Sequence, residues 1–120
     1  MKRPAIFLTL LIPAILMIGS FASAQSTYTA SIKESRLTWY GARVAYGHSG
    51  SVSLKSGALE IQQSKLVGGE FVIDMTSIRD LDIEDEARSG KLTNHLKSYD
   101  FFYVSNYPTS TLKITEVNWN

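Results

Sequence analysis

The sequence predicts an all-β protein, an antiparallel sheet carrying one short helix. Three observations carry that prediction. Four segments alternate apolar and polar residues with a period of two, the spacing of a strand with one buried face. A single segment has helical spacing, and glycine, serine and proline mark breaks along the chain. The 120 residues, 44% hydrophobic and 19% charged, have the composition of one folded domain rather than a disordered tail or a collagen-like repeat.

The first 24 residues read as a secretory leader. Lys2 and Arg3 form a positive start, Ala5 to Ile18 an apolar stretch, and Ala22-Ser23-Ala24 a cleavage site of small residues. An uncleaved anchor is the alternative, and Pro13 together with the small residues at the site weighs against it. The expected mature start is Gln25, and the expected location is periplasmic or secreted. Without Lys2 and Arg3, ten basic residues face eleven acidic ones, so the formal charge of +1 becomes −1. No basic footprint for nucleic acid remains. The absence of cysteine excludes a disulfide framework, a thiolate metal site, a cysteine nucleophile and a lipid-modified cysteine after the leader.

The mature chain, 25–120, begins with a possible strand near Tyr28–Ile32. From Ser35 to Arg43, Leu37, Trp39 and Gly41 alternate with Thr38, Tyr40 and Ala42. From His48 to Ile61, Val52 and Leu54 oppose Ser51, Ser53 and Lys55, and Gly57 is expected to bend or bulge the strand. Residues 70–78 set Phe71, Ile73 and Met75 against Val72, Asp74 and Thr76. Gly68-Gly69 before them is expected to supply a turn or bulge. Between Asp85 and Lys97, Leu92 and Leu96 recur at helical spacing, with Glu84, Asp85 and Glu86 at the front and Lys97 near the end. An aromatic turn, Tyr99 to Tyr103, follows, and Asn106-Tyr107-Pro108 ends it. The last predicted strand, Ser110–Val117, places Leu112 and Ile114 on one face.

Catalytic motifs are near misses. Gly47-His48-Ser49-Gly50-Ser51 lacks the final glycine and the strand-to-helix setting of a nucleophile elbow, so it reads as a Gly/Ser-rich turn. Asp80, Asp82 and Glu84 begin like a calcium loop, but Asp85 and Lys91 stand where that loop needs Gly and Glu. They read as a solvated loop leading into the helix. His48 and His95 are the two histidines, and a zinc site would have to recruit distant carboxylates. His95 reads as a hydrogen-bonded histidine at the base of the core, and His48 as a structural or surface residue. No catalytic residue, metal ligand or cofactor is assigned. The aromatic and aliphatic surplus, including Phe101, either fills a small β core or lines a cavity in a curved sheet.

Three pieces of the chain resemble the YceI-like family of exported bacterial lipid-binding proteins. They are Trp39-Tyr40-Gly41 with Gly47-His48-Ser49-Gly50, the Gly68–Ile78 segment, and Lys91–Ser98 running into Asp100-Phe101-Phe102 and Tyr107-Pro108. The resemblance implies an eight-stranded antiparallel lipocalin-like barrel with an elongated apolar pocket for an isoprenoid or similar amphiphilic lipid, such as a quinone tail, and no catalytic activity. The family continues with further strands after the position of Trp119. The expectation is therefore the N-terminal portion of the barrel, from a fragment or from a chain that pairs its open edges with another copy.

The expected ligand-binding residues are Trp39, Val52, Leu54, Phe71, Ile73, Leu112 and Ile114. His95, Asp100 and Phe102 are expected to fix the helix and the aromatic turn at the closed side. The expected function is non-enzymatic binding, transport or storage of the lipid in the cell envelope. The alternatives are an envelope stress or protein-interaction factor without lipid, and a small hydrolase using His48.

Overall fold

A computed structural model of the chain describes residues 23–120. The expected leader therefore lies outside the described residues except for Ser23 and Ala24. The elements are β1 (Gln25–Thr29), β2 (Leu37–Arg43), β3 (Tyr46–Gln62), β4 (Lys65–Asp80), α1 (Glu86–Lys97) and β5 (Thr109–Ile114). All pairings are antiparallel and form one open five-stranded sheet. The fold class is the predicted one, all-β with a short helix. Among the described residues no helix is long and apolar enough to cross a membrane.

The long β3–β4 hairpin is the spine. Its turn is Gln63-Ser64, both in the left-handed region at φ 50° and 61°. This is the geometry by which a two-residue hairpin matches the twist of its strands. Gly68-Gly69, expected to make a turn, instead lie buried inside β4. The bulge expected there does occur: Glu60 pairs with Gly68 and Ile61 with Leu66, leaving Val67 unmatched. A second irregularity, between Leu54 and Ser56, bends β3 just before Gly57, as the sequence suggested. Along one edge β3 pairs with β2 through its first half and with β1 through its second.

The turn between β2 and β3 is Val44-Ala45, and Gly47–Ser51 is strand. Reading that glycine-rich stretch as a turn is thus corrected. Its glycines serve close packing: a Cβ on Gly50 would meet the Arg79 carbonyl and lie 2.5 Å from Trp39 Cε2. β1 covers residues 25–29 rather than 28–32, and β5 ends three residues before the predicted Val117.

Asp85 caps α1, its carboxylate accepting the Arg88 N–H at 2.8 Å, and Glu86 and Lys97 stand at the helix ends that favour their charges. The helix buries no residue completely; it packs against β4 and lays Leu96 on the core cluster of Met75, Ile78 and Val104. Trp39, Val52 and Ile73 complete that cluster. Tyr103, at φ 44°, turns the chain so that Val104 enters the core and its N–H donates to the Lys97 carbonyl at 3.0 Å.

Candidate functional site

Strand register gathers the seven expected ligand-binding residues onto one face of the sheet. Leu54 pairs with Ile73, Phe71 with Leu112, and Gly69 with Ile114. Val52 stands two residues from Leu54 and pairs with Leu37, whose second neighbour on the same face is Trp39. The face runs obliquely from β5 to β2. Leu54 is buried, Trp39, Val52, Phe71, Ile73 and Ile114 are half-buried, and Leu112 is exposed. Covering such a face removes apolar area from water at roughly 25 cal/mol per Å².

At the β2 end the face leads into an apolar cavity of about 280 Å³ lined by Trp39, Arg43, His48, Leu92, Leu96 and Phe101, among others. Trp39 alone of the seven expected residues borders it, and the other six lie along the face outside. The contribution of Leu92 and Leu96 escaped the sequence reading. Their helical spacing signals a buried stripe, and only the placement of α1 beside the β2–β3 hairpin shows what that stripe lines. A second recess of about 340 Å³ lies between β1 and β3, bordered by Thr29, Ala30, Ile32, Gly57 and Glu70.

At the helix end of the first cavity, His95 Nε2 lies 3.3 Å from Asp100 Oδ2, and the His95 ring meets Phe101 edge to face at 4.9 Å. Both partners of this contact are largely exposed. The expectation of a core histidine is thus corrected: His95 links the end of α1 to the aromatic turn from outside. Phe102 is tied through its backbone, its N–H donating to the Leu96 carbonyl at 3.1 Å, while its side chain is exposed.

On the β3–β4 side stands a polar group the sequence did not bring together. His48 Nδ1 lies 3.2 Å from Asp82 Oδ1, and Asp82 Oδ2 accepts the Ser49 N–H at 3.2 Å. Desolvation is the largest single influence on the Asp82 carboxyl and raises it. Hydrogen bonding with Asp80, His48 and the Ser49 N–H, with attraction to His48, outweighs this and holds it below the usual carboxylate range. Asp80 departs from the expected solvated loop: it is 6% exposed. Its Oδ2 accepts the Ile83 N–H at 3.1 Å, and its Oδ1 is buried without a partner among the described residues. An oxygen left so costs roughly 1–3 kcal/mol. His48 and Asp82 are 34 positions apart, and no local spacing announces such a pair.

A bent antiparallel sheet with an apolar face, a helix across one end and a cavity beneath it is an all-β arrangement of the lipocalin-like kind. Comparison with known families agrees: the model of the YceI-like domain matches residues 22–119. The chain belongs to the YceI-like family. No curated protein and no solved structure matches it.

Proposed function

We propose that the protein binds an isoprenoid or similar amphiphilic lipid, without catalysis, as a carrier or store in the cell envelope. The observation that carries this is the continuous apolar face from Ile114 and Leu112 through Phe71, Ile73 and Leu54 to Trp39, ending in the cavity under α1. Each CH₂ of a lipid tail buried there gains roughly 0.8 kcal/mol. Arg43 and His48 on the cavity wall suit a ligand with one polar end. Family membership supports the same reading. Export follows from the leader pattern, and N-terminal sequencing of protein from the envelope fraction should begin at Gln25.

Native mass spectrometry followed by organic extraction tests the binding. A stoichiometric co-purified lipid is expected. Leu112→Asp, at an exposed position of the face, should abolish uptake while the circular dichroism spectrum stays that of the parent. A folded protein that carries no lipid and takes up none refutes the proposal. The same spectra report any self-association through the open edges of β1, β2 and β5.

A further inference from the structure

We propose that His48, Asp80 and Asp82 form a binding site for a divalent cation of the zinc type. One ring nitrogen of His48 and one oxygen from each carboxylate lie within 4.8 Å of one another. Asp80 is more than nine-tenths buried, and its Oδ1 has no partner among the described residues. A folded chain leaves a carboxylate oxygen in that state where something else satisfies it.

Charge counting favours a metal over a proton on His48. A single proton, whether on the imidazole or shared between the two carboxylates, leaves the group at −1, whereas a divalent ion with neutral imidazole brings it to zero. The donor set selects the class of ion. Calcium and magnesium prefer all-oxygen shells, while one imidazole with two carboxylates suits zinc and its first-row neighbours. Tetrahedral ligands about 2.1 Å from zinc stand about 3.4 Å apart, close to the 3.2 Å that already separates His48 Nδ1 from Asp82 Oδ1, so closing the three groups on one ion takes a small adjustment.

The elements make that possible. Asp80 is fixed by its place opposite Gly50, by its N–H donating to Thr93 Oγ1 at 3.1 Å and by the Ile83 N–H. Asp82 and His48 are partly exposed and free to adjust. Bound there, the ion would pin residues 81–85 to β3 beside the cavity wall that His48 also lines.

Calorimetric titration of the chelator-stripped protein with zinc chloride tests the site. The expected result is one saturable ion per chain, weakened more than about tenfold by His48→Gln and by Asp82→Asn, both at partly exposed positions that leave the fold intact. Asp80→Asn should act likewise if its circular dichroism spectrum is unchanged. His95→Gln, which removes the other histidine–carboxylate pair, should leave the affinity unaltered. No saturable binding at millimolar zinc overturns the proposal, as does binding that survives both His48→Gln and Asp82→Asn. Equal affinity for calcium overturns the assignment of ion class.

Discussion

Gly57 and Phe71 face each other across β3 and β4, and their contact sets the shape of the apolar face at its middle. A Cβ built on Gly57 lies 2.5 Å from Phe71 Cδ1, 2.9 Å from Cε1 and 3.2 Å from the Ala30 Cβ. Ordinary carbon contacts need about 3.5–4.0 Å, so Gly57→Ala must push the ring aside by about 1 Å. Overpacking of this kind costs about 1–3 kcal/mol. Gly57 is not in the left-handed region, so alanine stiffens the unfolded chain and returns about 0.4–1 kcal/mol. The net loss is about 0.5–2 kcal/mol. For a domain of this size it lowers Tm by roughly 4–8 °C per kcal/mol.

Removing the ring should remove the penalty. In a Phe71→Ala background, Gly57→Ala is expected to be neutral or stabilising, giving a coupling of about 1–2 kcal/mol in a double-mutant cycle. Urea unfolding of the four proteins, with m-values compared, measures it. If Gly57→Ala costs the same in both backgrounds to within about 0.5 kcal/mol, the ring is not what the glycine accommodates, and the packing account of this face fails.

Two further outcomes follow from the backbone and from the carboxylates. Ser64 holds a left-handed conformation in the β3–β4 turn, where a Cβ costs roughly 1 kcal/mol. Ser64→Gly should therefore raise the urea midpoint at unchanged m, and a lower midpoint would contradict the turn geometry. Asp74 is held below the usual carboxylate range chiefly by the Thr76 hydroxyl, donating at 2.6 Å. Burial is the next largest influence and acts the other way, while the Thr76 N–H, Lys55 and Lys97 assist the lowering. A lowered folded pKa contributes stability above the unfolded value near 3.9, lost as pH falls through the folded one. Asp74→Asn should therefore cost stability at pH 7, to an extent limited by solvent screening, and progressively less as the pH falls below about 3.9. A cost that persists unchanged at pH 2 would assign the effect to something other than ionisation.

Much of this architecture was legible in the residues because it is periodic. Phe71, Ile73 and Met75 alternate with Asp74 and Thr76, and that pattern places them on opposite faces whatever the partner strand is. Asp85 before Leu92 and Leu96 marks where α1 starts. The turns were less legible, for opposite reasons. Gly47 and Gly50 look like turn residues yet are small because Tyr40, Trp39 and the β4 backbone come close. Gln63-Ser64 makes a left-handed turn with residues that rarely do. The polar group at His48 was not legible at all. It depends on Asp80 lying opposite Gly50, a pairing set by a register shift between Ser51 and Ser53 that no local pattern encodes. For the same reason the seven apolar residues could be assigned to a face, while the cavity under α1 could not be drawn.

The β3–β4 hairpin also dictates the order of events during folding. Its two-residue turn lets pairing zip outward from neighbours in sequence, so little chain entropy is lost at each step. β5 can dock on β4 only after the span from Leu81 to Pro108, helix included, has closed back on itself. The transition state should therefore hold the hairpin formed and β5 still detached. In a stopped-flow chevron, truncating Ile73 would then slow refolding, while truncating Ile114 would mainly hasten unfolding.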